Sequence, residues 1–276
     1  MTVTLPSIAI LGTGSMGGAI LAGLLNPDVV VEGGIRVTNR SVEKARALES
    51  DTVTSLATST EPEANRIAVT GARIVLVGVK PAMVPDLLRE VADSLEPDAI
   101  VVSVAAGVTI ETMESLVAAS VLRSMPNTPS VVGKGVTGLA AGTRSSEADL
   151  ALVRTLFETV GDVLVIPESQ INALSTVSGS GPAYVFFLIE QLTRTAVGLG
   201  FTPEQAAIMV NGTFAGSTAL LEASHRSPAE LRTQVTSPKG TTERAVAELE
   251  AADLGAVFDR ATAAALARAE ELAAGN

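Results

Sequence analysis

The chain has 276 residues, of which 47% are hydrophobic, 18% charged and 3% aromatic, and its formal net charge is -11. This apolar fraction excludes a disordered chain, and the acidic balance excludes the basic surface typical of nucleic-acid binding. The absence of cysteine excludes disulfides and thiolate metal sites, and a single histidine excludes a multi-histidine centre, so we predict no metal.

The N-terminal segment predicts neither a targeting signal nor a membrane anchor. Its apolar run, residues 8–11, follows no positively charged segment and is interrupted by Gly12 and Gly14. The longest apolar stretch, residues 183–189, is well short of the roughly 20 residues that a membrane span needs. We therefore expect a soluble, cytoplasmic protein without nucleic-acid or membrane partners.

Strand-like and helix-like segments alternate over the first 166 residues. Short runs rich in β-branched residues predict strands at residues 8–11, 35–38, 74–79, 100–104, 121–124, 138–141 and 163–166. Apolar residues at spacings of three and four predict helices between them, at residues 16–25, 42–49 and 84–94. This alternation is typical of an α/β domain of the Rossmann type, with a mostly parallel, doubly wound sheet.

The pattern changes after residue 166, where strand-like runs give way to segments rich in Ala and Leu. These segments predict helices at residues 181–199, 203–223, 228–233, 241–250 and 253–273. Thr202 and Ser227 each precede a proline, which suits an N-cap followed by Pro at the first helical position. We therefore predict two domains: a Rossmann-type domain over residues 1–166 and an all-α domain over residues 167–276.

The first helix of the second domain is apolar on several sides. Phe186, Phe187, Ile189 and Leu192 point in different directions around it, so no single face buries them all. An ordinary core would be one explanation, but a small helical domain has a limited interior. We favour a subunit interface and expect a homo-oligomer.

The glycine-rich segment after the first predicted strand indicates a dinucleotide site. Gly12 suits a tight turn, Gly14 lets the backbone approach a pyrophosphate, and Gly17 allows the helix to pack closely on the strand. The free amides of the helix N-terminus then bind phosphates. The alternative is a glycine-rich turn without a ligand. The predicted loop consists of Gly12, Thr13, Gly14, Ser15, Met16 and Gly17.

The end of the second long strand bears on the choice of coenzyme. Enzymes that prefer NAD place a carboxylate there for the ribose 2′-hydroxyl, whereas this chain has Asn39, Arg40 and Ser41. These hydrogen-bond donors suit a 2′-phosphate, and a guanidinium binds it bidentately. We predict that NADPH is preferred and that NADH is a second coenzyme. Arg40 could instead be a solvated surface residue.

The chain offers few groups for acid–base catalysis. Alcohol oxidation needs a positioned base, and the candidates are His225, Tyr184 and four lysines. His225 lies in a polar turn, where exposure or a C-capping role is expected, and Tyr184 lies in an apolar helix, where packing is expected. This inventory favours the reduction of an imine, which depends mainly on positioning.

Six motifs, in order along nearly the whole chain, closely resemble pyrroline-5-carboxylate reductases. They occupy residues 12–17, 79–81, 103–107, 123–129, 178–184 and 237–242. The resemblance implies an enzyme that reduces 1-pyrroline-5-carboxylate to proline with NADPH or NADH, the last step of proline biosynthesis. It also implies a Rossmann domain and a helical domain that forms an interlocked dimer, often assembled into a decamer.

The resemblance also implies roles for individual residues. It places Val79, Lys80 and Pro81 beside the ribose and phosphates of the coenzyme, and Ala105, Ala106, Gly107 and Asn127 beside the nicotinamide. A turn with hydroxyls and free amides at a helix start suits a carboxylate, so the substrate is expected at Ser237, Gly240, Thr241 and Thr242, with Ser180 nearby. Thr242 is expected to bond the ring nitrogen and is the nearest to a catalytic side chain.

Structural explanations compete with these roles. Residues 79–81 could simply end a strand, residues 103–107 could fill a packing gap, and Arg123 could pair with a carboxylate. Residues 179–182 could form only a hinge, and Thr241 or Thr242 could only cap a helix. The chain also departs from the family pattern, with Lys239 in place of Gly and Asn172 in place of Asp.

Two other functions compete with the reductase. A β-hydroxyacid dehydrogenase would carry a catalytic lysine on the first long helix of the second domain, but residues 181–200 contain no lysine. A nucleotide-sensing Rossmann protein would explain residues 12–17, but it gives no reason for the motif at residues 237–242.

Overall fold

The computed structural model describes residues 2–273; Met1 and the last three residues of the predicted helical domain lie outside the described part. The chain divides into two compact units, one formed by residues up to Ser180 together with the C-terminal residues from Leu266, the other by Gly181–Ala265. None of the helices within residues 2–273 is both long and apolar enough to cross a membrane.

The first unit is built on an eight-stranded sheet whose order is β10-β9-β8-β7-β6-β2-β4-β5. The six strands from β5 to β8 are parallel, β9 runs antiparallel to β8, and β10 is parallel to β9. The separate β1 and β3 form a short parallel pair. The strands are β1 (Val3–Leu5), β2 (Ile8–Leu11), β3 (Val29–Val31), β4 (Ile35–Asn39), β5 (Val53–Ala57), β6 (Ile74–Val77), β7 (Ile100–Ser103), β8 (Ser120–Met125), β9 (Gly135–Ala141) and β10 (Gly161–Val165).

The strand order reverses direction between β2 and β6, as it does in doubly wound sheets that bind dinucleotides. Helices cover both faces of this sheet. The helices of the first unit are α1 (Ser15–Leu24), α2 (Val42–Leu48), α3 (Ala64–Val69), α4 (Val84–Val91), α5 (Ile110–Glu114), α6 (Glu147–Glu158) and α7 (Ile171–Leu174). A π-helical turn, Ser175–Gly179, follows α7 directly.

The core lies on both sides of the sheet. Along β2, Ile8 and Ile10 pack into one cluster, and Ala9 and Leu11 pack into the other. Both clusters are buried because parallel strands are covered on two faces, which explains the continuous apolar runs in the sequence.

The second unit is helical. It contains α8 (Gly181–Gly198), α9 (Pro203–Ser224), α10 (Pro228–Gln234), α11 (Thr241–Ala251) and the start of α12 (Leu254–Ala273). Thr202 and Ser227 cap α9 and α10 as predicted, each accepting a hydrogen bond from the backbone three residues on. His225 ends α9 in the left-handed conformation at φ 54°, which confirms its C-capping interpretation.

The predicted fold class is confirmed, but several elements differ from the prediction. The strands β1, β3 and β5 and the helices α3, α5, α6 and α7 were not predicted from the sequence. The predicted domain boundary at residue 166 lies next to the end of β10, whereas the compact units divide after Ser180. The reason is that Ile171 is fully buried in the core of the first unit.

Candidate active site

Loops that follow four parallel strands line one edge of the sheet. Gly12 follows β2, Gly78 follows β6, Val104 follows β7 and Pro126 follows β8. The carboxyl ends of parallel strands share an edge, and ligands of open α/β sheets bind there.

The glycine-rich loop has the close approaches predicted for it. Gly12 has φ +92°, a left-handed conformation that favours glycine. A Cβ at Gly17 would lie 2.5 Å from the carbonyl oxygen of Gly12, whereas a Cβ at Gly14 would meet no atom within 4 Å. The first hydrogen bond of α1 runs from the Gly18 amide to the Gly14 carbonyl at 2.9 Å. The amides of residues 15–17 are therefore available to a phosphate.

A cleft of about 820 Å³ opens beside this loop. It brings together three predicted groups of coenzyme ligands: the glycine-rich loop, the residues after β4 and the residues after β6. A second cavity of about 400 Å³ shares several of the same residues. The predicted residues that line the larger cleft are Gly12, Thr13, Gly14, Asn39, Arg40, Ser41, Val79 and Lys80.

Asn39 presents an unused donor to the cleft. Its side chain is only 6% exposed, and its Oδ1 accepts a hydrogen bond from the Thr13 hydroxyl at 2.5 Å. No protein group among residues 2–273 accepts a hydrogen bond from its Nδ2. A buried amide donor without a partner is costly, and a ribose hydroxyl or phosphate oxygen would satisfy it. The residues present thus fit a nucleotide.

The cleft is locally basic although the chain is acidic. Arg40, Lys44 and Lys80 line it together with Glu43. Arg40 and Lys80 are exposed, so their cationic groups are accessible to an anion. The Ser41 hydroxyl already caps α2, accepting from the Lys44 amide at 3.4 Å. Arg40 is therefore the best placed of the three predicted residues to bind a 2′-phosphate.

Several residues of the cleft were not predicted from the sequence. Gly78 was assigned to a strand, but a Cβ there would lie 2.5 Å from the Gly12 carbonyl oxygen, so only glycine fits. A glycine at the end of an apolar strand is the signal that could have identified it. Ser59 was missed because it follows β5, a strand that the sequence analysis did not identify.

The predicted nicotinamide residues follow β7 and β8. Ala105 is buried and donates its amide to the Ser103 hydroxyl at 3.1 Å, and Gly107 has φ +78°. Ala106 is exposed, and Pro81 begins a short 3₁₀ turn after Lys80. Asn127 is buried, and both ends of its side chain bind the protein: Nδ2 donates to Ser178 and Oδ1 accepts from Val136.

The predicted substrate residues lie in both units. Ser180 ends the first unit, half-buried, with its amide donating to the Ser175 carbonyl at 2.9 Å. In the second unit, Gly240 is the N-cap of α11 and has no side-chain capping bond, so neither Thr241 nor Thr242 caps this helix. The amides at the start of α11 therefore remain free for a carboxylate.

Two backbone amides donate the hydrogen bonds that hold the turn before α11. The Gly240 amide donates to the Ser237 carbonyl at 3.0 Å, and the Lys239 amide donates to Glu243 Oε2 at 2.8 Å. Lys239 has φ +63°, so it keeps a backbone conformation that glycine adopts more easily. Ser237 and Thr241 are exposed, and Thr242 is half-buried.

Two of the acid–base candidates, Tyr184 and His225, have structural roles. The ring of Tyr184 packs edge-on against Phe258, with centroids 6.2 Å apart, and His225 caps α9. Arg123 is buried and forms an ion pair with Glu168 at 3.1 Å, as the structural explanation of this residue anticipated.

Two family models match the chain. Residues 168–272 match the model described as pyrroline-5-carboxylate reductase dimerisation. Residues 7–107 match the model described as NADP oxidoreductase coenzyme F420-dependent.

Similar proteins cover nearly the full chain. A pyrroline-5-carboxylate reductase from Mycobacterium leprae is 40% identical and covers 99% of this chain and 98% of its own. One from Corynebacterium melassecola is 37% identical, with 96% and 98% covered. The solved structure of a pyrroline-5-carboxylate reductase from Coxiella burnetii is 36% identical, with a TM-score of 0.88 over 96% of this chain and 97% of its own. A Plasmodium falciparum pyrroline carboxylate reductase, solved with NADP bound, shares the fold at 23% identity, a TM-score of 0.81, and 97% and 98% coverage.

Proposed function

The chain belongs to the pyrroline-5-carboxylate reductase family, and on that basis we propose how its residues carry out the family's reaction. The enzyme reduces 1-pyrroline-5-carboxylate to L-proline, the last step of proline biosynthesis. NADPH, when bound, supplies the hydride. The cleft of the glycine-rich loop, with the free Asn39 donor beside it, is the observation that supports this function most directly.

The coenzyme site uses backbone amides and a small basic cluster. Residues 12–17 hold the pyrophosphate at the start of α1. Asn39, Arg40 and Ser41 surround the 2′-phosphate, so NADPH is preferred and NADH is the second coenzyme. Val79, Lys80 and Pro81 lie along the ribose and phosphates. Ala105, Ala106, Gly107 and the backbone around Asn127 lie beside the nicotinamide.

The substrate site uses hydroxyls and amides. The Ser237 hydroxyl and the amides of Thr241 and Thr242, in the turn formed at Gly240, bind the carboxylate at the start of α11. The Thr242 hydroxyl bonds the ring nitrogen and orients the C=N carbon. Ser180, in the first unit, is the remaining residue that we propose for the substrate. A protonated imine that accepts a hydride at carbon becomes a neutral amine, so the protein need supply no general base. Its main contribution is alignment, which can lower a barrier by roughly 7–11 kcal/mol.

The protein is a homo-oligomer, because residues 168–272 match a dimerisation model. We propose that the helical domain from residue 167 forms the dimer and that dimers assemble further into a decamer. The cytoplasm is the proposed location.

Replacement of Thr242 tests the function and the assignment together. We expect wild-type protein to oxidise NADPH in the presence of 1-pyrroline-5-carboxylate, and Thr242→Ala to lower kcat more than tenfold. Because Thr242 contacts substrate rather than coenzyme in this proposal, the Kd for NADPH stays within twofold. Absorbance at the NADPH band gives the rate, and NADPH fluorescence gives the Kd.

Thr242→Ser is the matched control, because it keeps the hydroxyl; its kcat should stay within a few-fold of wild type. Equal losses of rate and NADPH affinity in Thr242→Ala would assign Thr242 to folding. NADPH binding without turnover in the wild type would identify a nucleotide sensor instead.

A further inference from the structure

The segment from Glu168 to Ser180 is held against β8 and the loop after it by buried polar side chains. We propose that Arg123 is a positioning residue for the reductase reaction: it fixes this segment, and with it Ser180, at the edge of the sheet that carries the coenzyme cleft. The inference rests on the proposed function, because Ser180 is a substrate residue only within that function.

Arg123 contacts the segment at two points. It lies in β8, is 4% exposed, and donates from Nη1 to Glu168 Oε1 at 3.1 Å and from Nη2 to Asn172 Oδ1 at 2.9 Å. Glu168 Oε1 also accepts from the Ile110 amide at 2.8 Å. One carboxylate oxygen therefore joins β8, the start of α5 and the segment. A planar guanidinium serves two acceptors in fixed directions, which lysine cannot do.

Packing fixes the middle of the segment. A Cβ at Gly138, on β9, would lie 2.8 Å from Leu174 Cδ1, so glycine there lets α7 approach the sheet. Ile171, on the same helix, is fully buried.

Asn127 fixes the far end of the segment. It bridges the Ser178 carbonyl, at 2.9 Å, and the Val136 amide, at 2.8 Å. Ser178 lies in the π-helical turn Ser175–Gly179, a conformation that is rare and frequently found at functional sites. Ser180 follows this turn directly. Its position therefore follows from contacts that begin at Arg123 and end at Asn127.

The position of Ser180 matters for the reaction because β8 ends at the sheet edge that carries the coenzyme cleft. Asn127 follows β8 at the same sheet edge as Gly12 after β2 and Gly78 after β6, and these two glycines line the coenzyme cleft. Hydride transfer requires donor and acceptor carbons to be aligned, and small displacements reduce the rate steeply. Arg123 contacts neither ligand in the proposed site, so its effect reaches the reaction through Ser180.

Two substitutions at Asn172 form a matched test on the full-length protein. Asn172→Leu removes the acceptor at nearly constant size, and Asn172→Asp keeps it. We expect Asn172→Leu to raise the KM for 1-pyrroline-5-carboxylate and to lower kcat, each at least fivefold. The Kd for NADPH should remain within twofold, and Asn172→Asp should retain wild-type kinetics within twofold.

Hydrogen exchange gives a readout that does not depend on turnover. The amides of residues 175–180 should exchange at least tenfold faster in Asn172→Leu than in Asn172→Asp, while those of β2 are unchanged. If Asn172→Leu fails to fold, Arg123→Lys replaces it, with the same expected changes because one contact of the fork is lost.

Unchanged kinetics despite faster exchange would overturn the inference, as would equal weakening of NADPH and imine binding, or an Asn172→Asp variant as impaired as Asn172→Leu. A wild-type enzyme that binds NADPH but reduces no imine would instead refute the proposed function, and the same assay distinguishes the two failures.

Discussion

Asn39 and Arg40 are adjacent in sequence but offer different chemistry to the coenzyme. Asn39 is buried and held by Thr13, so its free amide hydrogens have a fixed direction, whereas Arg40 is exposed and carries charge. A fixed neutral donor serves the ribose of either coenzyme. The charged group serves mainly the additional phosphate of NADPH, so it should determine the preference between the two coenzymes.

Arg40→Ala should therefore weaken the binding of NADPH more than the binding of NADH. We expect the ratio of kcat/KM with NADPH to that with NADH to fall at least tenfold, because a charge-assisted bidentate contact is lost. Arg46→Ala is the control, since it removes an exposed arginine of α2, six residues further along the chain, that does not line the cleft. A ratio that falls equally in both variants would mean that the loss of any nearby positive charge has this effect, and that Arg40 makes no specific contact with the 2′-phosphate.

The residue types and spacing of the coenzyme motif predicted that Gly12, Asn39 and Arg40 lie close together, and all three line one cleft. They did not predict the hydrogen bonds of Asn127, whose partners Val136 and Ser178 lie 9 and 51 residues away in sequence. Hydrogen bonds over such separations leave no local pattern. Lys239 is a third case: it stands where the family has glycine, and it keeps φ +63°, a conformation that glycine adopts more easily.

At the scale of elements, two adjacent glycines of α1, Gly17 and Gly18, have different surroundings. A Cβ at Gly17 would lie 2.5 Å from a backbone oxygen of Gly12, whereas a Cβ at Gly18 would meet nothing within 4 Å. Gly17 is therefore required by the approach of α1 to β2, and Gly18 is not.

Alanine at these two positions should have opposite effects. We expect Gly17→Ala to lower the free energy of unfolding by about 1–3 kcal/mol, because the glycine-rich turn must shift. The same shift should raise the Kd for NADPH at least tenfold. Gly18→Ala should raise the free energy of unfolding by about 0.5–1 kcal/mol, since alanine costs less backbone entropy in a helix. Urea denaturation and NADPH titration measure both, and a stabilising Gly17→Ala would contradict the packing described here.

The sequence predicted the helices of the second unit to within one or two residues, because Ser, Thr, Pro and Gly mark their ends. It failed for β5 and α3, where polar residues interrupt the apolar pattern, as in Val53-Thr54-Ser55-Leu56-Ala57. Burial of such a strand depends on its pairing with β4, which is a tertiary contact and not a local one.

At the scale of the whole molecule, the two units bury their apolar residues very unequally. Both faces of the sheet carry continuous clusters, but among the described residues of the second unit only Ala196, Ala206 and Val210 are buried hydrophobics. Phe186 and Phe187 are 66% and 59% exposed. The predicted burial of these phenylalanines thus needs a second chain, in agreement with the dimerisation model matched by residues 168–272.

A charge on this surface should separate the subunits. We expect Phe187→Asp to reduce the native mass to that of one chain at micromolar concentration, because a carboxylate would be buried without a partner. Ile67→Asp places the same charge on an exposed apolar residue of the first unit and should leave the mass unchanged. Light scattering after gel filtration measures both, and an unchanged mass for Phe187→Asp would remove α8 from the interface.

The sparse interior of the second unit also has a consequence for synthesis in the cell. A nascent chain that has emerged as far as residue 180 already contains every strand of its sheet, but the apolar residues of the helices that follow are covered only when another polypeptide binds. Until it arrives, chaperones and proteases encounter apolar helices on an otherwise finished protein. The steady-state amount of enzyme should therefore fall more steeply than its rate of translation when expression is reduced.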